Sequence, residues 1–427
     1  MAFSLPRSSS STGLPTGLPD AALAAAAGLC AGLLGPLAAL APRGLPVWAI
    51  AVTLIALAGL ARRRALGRMA RAWPAAGVVG AFLVLALLSS LWSPSGRAAA
   101  TVAEMAYIAL GALAGGAWIT QLPGSEARRF MRPFLAGLLA GVALFGLEAL
   151  LDFPLHRWWN RIPDTEIENL IYSNVPKRTA ALLCLLVWPA ALAVDRIGRR
   201  RAALLLPVGY GLLCLPLTSR SAMLGIAVGL AVFALARRSA HAARLLLGGV
   251  VALGFVAVLP GALFLDRILN LEGADWLFHS ARHRVEIWGM AAERALQAPI
   301  LGQGIDASRA LAPQGEVSRF ATIGDSLLPL HPHNAFLQVW LELGAVGAAL
   351  ALATTLLLLA GTRHLARRDQ PFALALFATA LAMGSTAYGI WQAWWMAGFL
   401  AAGLILRLAG RVPASDGPAS DGPADDQ

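Results

Sequence analysis

Apolar residues in this chain run in blocks of about 17–25, the length at which a helix crosses the hydrocarbon core of a bilayer. That feature constrains the fold more than any motif. With 58% of 427 residues hydrophobic and 13% charged, the charged share is half the roughly 25% usual in soluble domains. No soluble core could hide so much Leu and Ala. A soluble enzyme, a nucleic-acid-binding module and a disordered protein are excluded, despite a formal net charge of +11. The expected fold is therefore all-α: a polytopic membrane protein of about twelve spans.

The spans are expected near 20–42, 44–61, 73–92, 99–120, 134–152 and 179–195, then 202–217, 221–236, 245–264, 334–360, 371–389 and 391–408. Nearly all the positive charge is arginine, and Lys177 is the only lysine. Alternate turns carry Arg62-Arg63-Arg64, Arg128-Arg129, Arg199-Arg200-Arg201, Arg237-Arg238 and Arg367-Arg368, whereas the turns between them hold single arginines such as Arg43, Arg97 and Arg220. This alternation is the positive-inside pattern. It predicts both termini in the cytoplasm, with 1–19 and the acidic tail 411–427 disordered. The first span is read as uncleaved, although Ala39-Leu40-Ala41 has the small residues of a cleavage site. A membrane region 20–264 and a second one 334–410 would flank a large outer loop 265–333. Cys30, Cys184 and Cys214 lie in apolar blocks, so no disulfide or zinc framework is implied.

Two outward loops, 153–178 and 266–332, are long, and long loops are kept mainly where they have work to do. Both hold basic residues that topology does not need, among them Arg157, Arg161, Lys177, Arg178, Arg282 and Arg284. Such residues are candidates for binding an anion.

The strongest motif is His331-Pro332-His333-Asn334, running into a span that contains Glu342, Gly344 and Gly347. Pro332 suits a helix start, which places His333 and Asn334 at the outer interface. A neutral imidazole there can accept a proton from a hydroxyl; the plainer alternative is a histidine at a helix cap. Glu342, an acid inside a span, is costly unless paired or functional, and its expected role is to lock helix packing beside Gly344 and Gly347. Arg284 and Trp288 stand four apart on an amphipathic segment and share a face. An arginine fork there can grip a phosphate while the indole rests among headgroups. The segment continues into Pro299-Ile300-Leu301-Gly302-Gln303-Gly304. Thr218-Ser219-Arg220-Ser221 is a short outward turn that pins Arg220 at the surface, and Lys177-Arg178 precedes the sixth span. Each of these also reads as a lipid-headgroup anchor. Asp164, Glu166 and Glu168 form an outward acidic cluster, more simply read as solvated than as metal-binding.

Taken together, these segments resemble the O-antigen ligase/polymerase family of bacterial membrane glycosyltransferases, chiefly in the second half of the chain. The first half resembles it in hydropathy and in the basic Arg178. The resemblance implies a GT-C-like, metal-independent enzyme without cofactor in the inner membrane, its active site facing the periplasm. The donor would be a glycan on undecaprenyl pyrophosphate, and the acceptor lipid A–core or another glycan. Partners would be these substrates and membrane lipids, not nucleic acid. Arg220 and Arg284, with Arg178 and Lys177 in support, would hold the pyrophosphate. His333 would assist the acceptor hydroxyl, with His331 as the alternative and Asn334, Glu342 and Trp288 supporting. O-antigen polymerases often carry Arg-x10-Gly motifs in their outer loops. No Gly lies eleven residues beyond Arg157, Arg161, Arg178, Arg267, Arg282, Arg284, Arg294, Arg309 or Arg319, which favours the ligase. Exopolysaccharide polymerases and protein O-oligosaccharyltransferases share the His-Asn segment, and a flippase is the non-enzyme alternative. The inner halves of the spans are nearly all Ala, Leu, Gly and Val, with no polar route across.

Overall fold

The computed structural model describes residues 18–69, 76–161, 174–215, 219–277, 279–311 and 330–414. Residues 1–17 and 415–427 of the termini expected to be disordered, the acidic cluster 164–168 and Thr218 lie outside them, whereas Leu18 and Pro19 open the first helix and Arg411 ends the last. The chain is an all-α polytopic membrane protein, with no strand among the described residues. Its helices are α1 (Leu18–Leu40), α2 (Leu45–Arg62), α3 (Ala76–Ser89), α4 (Ala98–Thr120), α5 (Gly124–Leu150), α6 (Pro154–Asn160) and α7 (Asn174–Arg196) in the first half. The second half adds α8 (Arg200–Leu213), α9 (Arg220–Arg238), α10 (Ala240–Leu263), α11 (His279–Gln297), α12 (Ala335–Gly361), α13 (Gln370–Gly384) and α14 (Ala393–Arg411).

Each of the twelve expected spans coincides with a helix, but nine helical segments among the described residues are long and apolar enough to cross a bilayer. The other three, α3, α8 and α13, have 14, 14 and 15 residues, short of the ~17 a span needs. Several boundaries move by five residues or more, among them two helix starts. The fifth span was expected from 134, yet α5 starts at Gly124 and takes Arg128, Arg129 and Arg132 into its first turns. The sixth was expected from 179, yet α7 starts at Asn174 and so includes Lys177 and Arg178. In both places charge hid helix from a hydropathy reading.

The centre of the bundle is α7, in which every residue from Thr179 to Ala193 is buried. Around it the helices expose apolar faces, such as Leu139 on α5 and Val256 on α10, as lipid-facing helices do. The α1–α5 contact is backbone on backbone. A Cβ on Gly35 would lie 2.1 Å from the Gly137 carbonyl oxygen, the close approach that small residues permit between membrane helices.

The two ends of the bundle differ. At one end the arginine-rich turns are tied down. Arg196 forks onto Asp369, with one contact of 3.0 Å, and Arg368 reaches Asp195 at 3.0 Å. Arg63 donates to the Gln121 carbonyl at 2.6 Å and Arg411 to that of Leu122 at 2.8 Å. The other end gathers the turn 41–44, the segment 89–98, the first turns of α7 and α9, the chain around α11, and the stretches 330–334 and 385–393.

Candidate functional site

At that second end one helix is broken and another stretch of chain repairs it. Asn334 caps α12, its Oδ1 accepting from the amides of Phe336 (3.1 Å) and Leu337 (3.2 Å), as an N-cap should. Two and a half turns later Gly344 leaves the helix, at φ 61 and ψ −160. The break would orphan backbone groups on both sides, and buried amides and carbonyls must be paired. The segment 299–304 pairs them. Gln303 and Gly304 donate to the carbonyls of Leu341 and Glu342 at 2.9 and 2.8 Å, and Ala345 and Val346 donate to those of Pro299 and Ile300 at 2.8 and 3.2 Å. This explains the glycines of the sequence motif. A Cβ on Gly302 would lie 2.4 Å from the Glu342 backbone, and one on Gly344 2.5 Å from that of Ile300. Both also have positive φ, which suits only glycine without strain.

Glu342, fully buried, is the knot of this junction. Its carboxylate accepts from the Asp306 amide (2.6 Å), Ser308 Oγ (2.5 Å), Gln338 Nε2 (3.0 Å) and Trp391 Nε1 (2.8 Å). The packing role expected beside Gly344 and Gly347 is thus wider: Glu342 joins the loop after α11, the helix α12 and the turn before α14. The segment after α3 completes the junction, with Trp92 Nε1 on the Gly302 carbonyl (3.2 Å), Ser93 on that of Ile305 (2.7 Å) and Ser95 on Asp306 (2.9 Å).

The junction holds His331 and His333 in a fixed relation. Trp288 Nε1 donates to the Pro332 carbonyl at 2.9 Å, so this indole positions the His-Pro-His segment. The two imidazoles meet edge to face at 4.3 Å, and His331 Nδ1 accepts the His333 amide at 3.3 Å. His333 is in the left-handed region, φ 56, which costs a non-glycine residue about 1–3 kcal/mol and clusters at functional sites. Its Nδ1 faces the Ala387 carbonyl at 2.5 Å. A carbonyl only accepts, so Nδ1 carries the proton and Nε2 keeps its lone pair. Burial pushes the imidazole down to about 4, and the neighbours Arg284, His283 and Lys177 add to this against the Ala387 bond. Burial, then His333 and Arg309, holds His331 well below the usual range.

The cations around His333 come from three elements. Arg284 is on α11, Lys177 is in the first turns of α7, and Arg220 is the first residue of α9. Arg220 and Arg284 are the charged groups that act on Lys177, and Arg220 adds to the burial that lowers the Arg284 guanidinium. Lys177, Arg220 and Arg284 are therefore within one another's electrostatic reach, and Lys177 and Arg284 also act on His333. Arg178 goes elsewhere. Consecutive helical residues point about 100° apart, and Arg178 turns toward Arg43 and over the ring of Trp394 (6.0 Å). Tyr388, buried and held above its ordinary range mainly by that burial, stands in the field of both Arg178 and Arg284. Arg282, four residues round from Glu286, is anchored away from the group on the Glu272 carbonyl (2.7 Å) and Asp275 (3.1 Å).

Of the residues expected from sequence, the structure brings together His333, His331, Arg284, Arg220 and Lys177. Trp288, Asn334 and Glu342 support them, and Arg178 is separate. Sequence reading missed Tyr388, Trp391, Asp306, Ser308 and the Trp92–Ser95 stretch, which are scattered along the chain and meet only in three dimensions. Among the described residues no group of three His, Cys, Asp or Glu is placed as a metal ion would require.

Residues 202–352 match the family model described as "O-Antigen ligase". Over that stretch the chain is similar to O-antigen ligases. The matched stretch carries Arg220, Arg284, His333, Glu342 and Gly344, the whole of the repaired break among them. Curated relatives bear the name "Putative polysaccharide ligase". One from Rickettsia conorii is 25% identical over 295 residues, covering 67% of this chain and 68% of its own. Others from Rickettsia felis and Rickettsia prowazekii are 28% and 26% identical over 54% and 61% of this chain and 57% and 63% of theirs. The O-antigen-ligase-like stretch excludes Lys177, Arg178, Arg43 and Arg97, which lie N-terminal to it.

Proposed function

We propose that the chain is a glycosyltransferase of the O-antigen ligase type, moving a glycan from undecaprenyl pyrophosphate to a hydroxyl of lipid A–core at the periplasmic face of the inner membrane. The observation that carries the reading is the gathering of Lys177, Arg220 and Arg284 beside His333, at the bundle end opposite the arginine-rich turns. In the transfer, the acceptor oxygen bonds to the anomeric carbon as that carbon's bond to pyrophosphate breaks, and pyrophosphate leaves with the electron pair. Preorganised positive charge lowers the cost of this step, and three cations on three rigid elements supply it without a metal. His333 Nε2, with its lone pair available, accepts or orients the hydroxyl proton. A residue held near 4 is a weak base at neutral pH. Bound pyrophosphate offsets the charges of Arg284 and Lys177 and so raises His333 toward the range where proton transfer is efficient.

The test is a transfer assay with purified protein, undecaprenyl-pyrophosphate glycan, lipid A–core and a chelator. Glycan should appear on lipid A–core with the chelator present. Loss of transfer on chelation contradicts the metal-free reading. Lengthening of the lipid-linked glycan with none on lipid A–core makes the chain a polymerase instead.

A further inference from the structure

A cavity of about 200 Å³ opens at the same end of the bundle, with Arg43, Arg97, Arg178 and Arg309 in its lining. The one carboxylate in that lining, Glu104, takes Arg97 at 3.4 Å, and Asp306 takes Arg309 at 2.8 Å. Four positive charges thus face two negative ones, and the site is built for an anion. Its other walls are Thr101, Gln392 and the indoles of Trp391 and Trp394. Carboxylate, amide and hydroxyl are partners for sugar hydroxyls, and an indole face is a flat apolar platform for a pyranose ring. The size fits one ring, since sites for larger ligands start near 300 Å³. A lipid phosphate would gain nothing from Glu104 or from the indole faces.

The cavity adjoins the histidines. Leu330, next to His331 in the chain, is in its lining, and Arg309 of the lining acts on His331 as Arg284 acts on His333. Lys177 and Arg178, adjacent in sequence, serve one side each. We propose that this cavity is a subsite for one anionic sugar of the acceptor, a phosphorylated or carboxylated pyranose that stacks on Trp391 or Trp394 and gives its charge to Arg43, Arg178 and Arg309. The assignment to the acceptor rests on the ligase reading above; the affinity for an anionic sugar does not.

Calorimetric titration of the full chain in detergent, with glucose 6-phosphate, glucuronate, glucose and inorganic phosphate as probes, tests this. At least one of glucose 6-phosphate and glucuronate should bind ten times more tightly than glucose and than inorganic phosphate, and the better of the two identifies the anion. Arg43→Gln combined with Arg309→Gln should weaken that binding tenfold or more, while Arg220→Gln leaves it within twofold. Trp394→Phe should weaken the sugar anion and leave inorganic phosphate unchanged. Arg43 is exposed, so Arg43→Gln alone, weakening binding severalfold, serves if the double variant does not fold. Equal binding of all four probes, or inorganic phosphate as tight as the sugars, overturns the proposal. So does equal loss in Arg220→Gln. Sugar-anion binding that persists while the transfer assay fails leaves the subsite standing and removes the ligase reading.

Discussion

The two ends of the bundle use arginine in opposite ways. At the arginine-rich end, guanidinium groups meet carboxylates and carbonyls of neighbouring turns: Arg196 with Asp369, Arg368 with Asp195, Arg63 with Glu126. At the other end Lys177, Arg220 and Arg284 are each other's charged neighbours. Gathering like charges works against the folded state, and it does so here where burial is already lowering a guanidinium. Such an arrangement is understandable if an anion completes it. Arginine at one end therefore fastens turns together, and at the other Arg220 and Arg284 stand with Lys177 within one another's field.

The largest effect that would break this contrast is on transfer. Arg284→Gln or Arg220→Gln should lower kcat/KM about 100- to 1,000-fold, the loss typical when one preorganised charge-stabilising group is removed, with little change in melting temperature. Unchanged activity would mean these arginines are anchors like those at the other end. Next, His333→Ala should lower kcat about 100-fold or more. In the wild type kcat/KM should fall as pH drops through about 4, because only the unprotonated imidazole accepts the hydroxyl proton. The acid limb of kcat should lie higher, since the donor's charge raises the group. The same depression makes neutral His333 a source of stability above the ordinary value near 6.5, lost as pH falls toward about 4. A kcat limb at lower pH than that of kcat/KM would contradict the charge coupling.

Glu342→Ala sharpens the comparison from the side of the scaffold. It strips four donors of their acceptor, each costing about 1–3 kcal/mol if left unsatisfied, so thermal stability should drop steeply and activity with it. Glu342→Gln, which keeps one carbonyl acceptor, should be milder, and parity between the two in thermal melting would show that the junction does not depend on those bonds. The smallest effect is at the other end. Arg196→Gln should cost about 1–3 kcal/mol of stability by leaving the buried Asp369 without its fork. Activity per folded molecule should be unchanged.

Much of this was legible in the sequence because membrane helices announce themselves by hydropathy. The His-Asn cap, Arg284 four residues before Trp288 and the paired glycines could all be placed at one end from topology alone. Where charge enters a helix the reading failed: α5 and α7 each begin before the apolar run, and that shift turned Lys177-Arg178 from a loop pair into helical neighbours facing two sites. The role of Glu342 was partly hidden for another reason. Its donors Ser308 and Trp391 are far along the chain in opposite directions, and no periodicity links them. The same holds for Arg43, Arg97 and Arg309, each an unremarkable single charge in sequence and a shared wall in space.

The central claim is that Lys177, Arg220 and Arg284 hold a pyrophosphate beside His333. It is tested most directly by single-turnover release of undecaprenyl pyrophosphate from a labelled donor, comparing the wild type with Arg220→Gln, Arg284→Gln and Arg196→Gln in the same bilayer preparation. Release should be slowed about 100-fold or more in the first two variants and unchanged in the third. Equal release in all of them, or equal loss in all three, would contradict it.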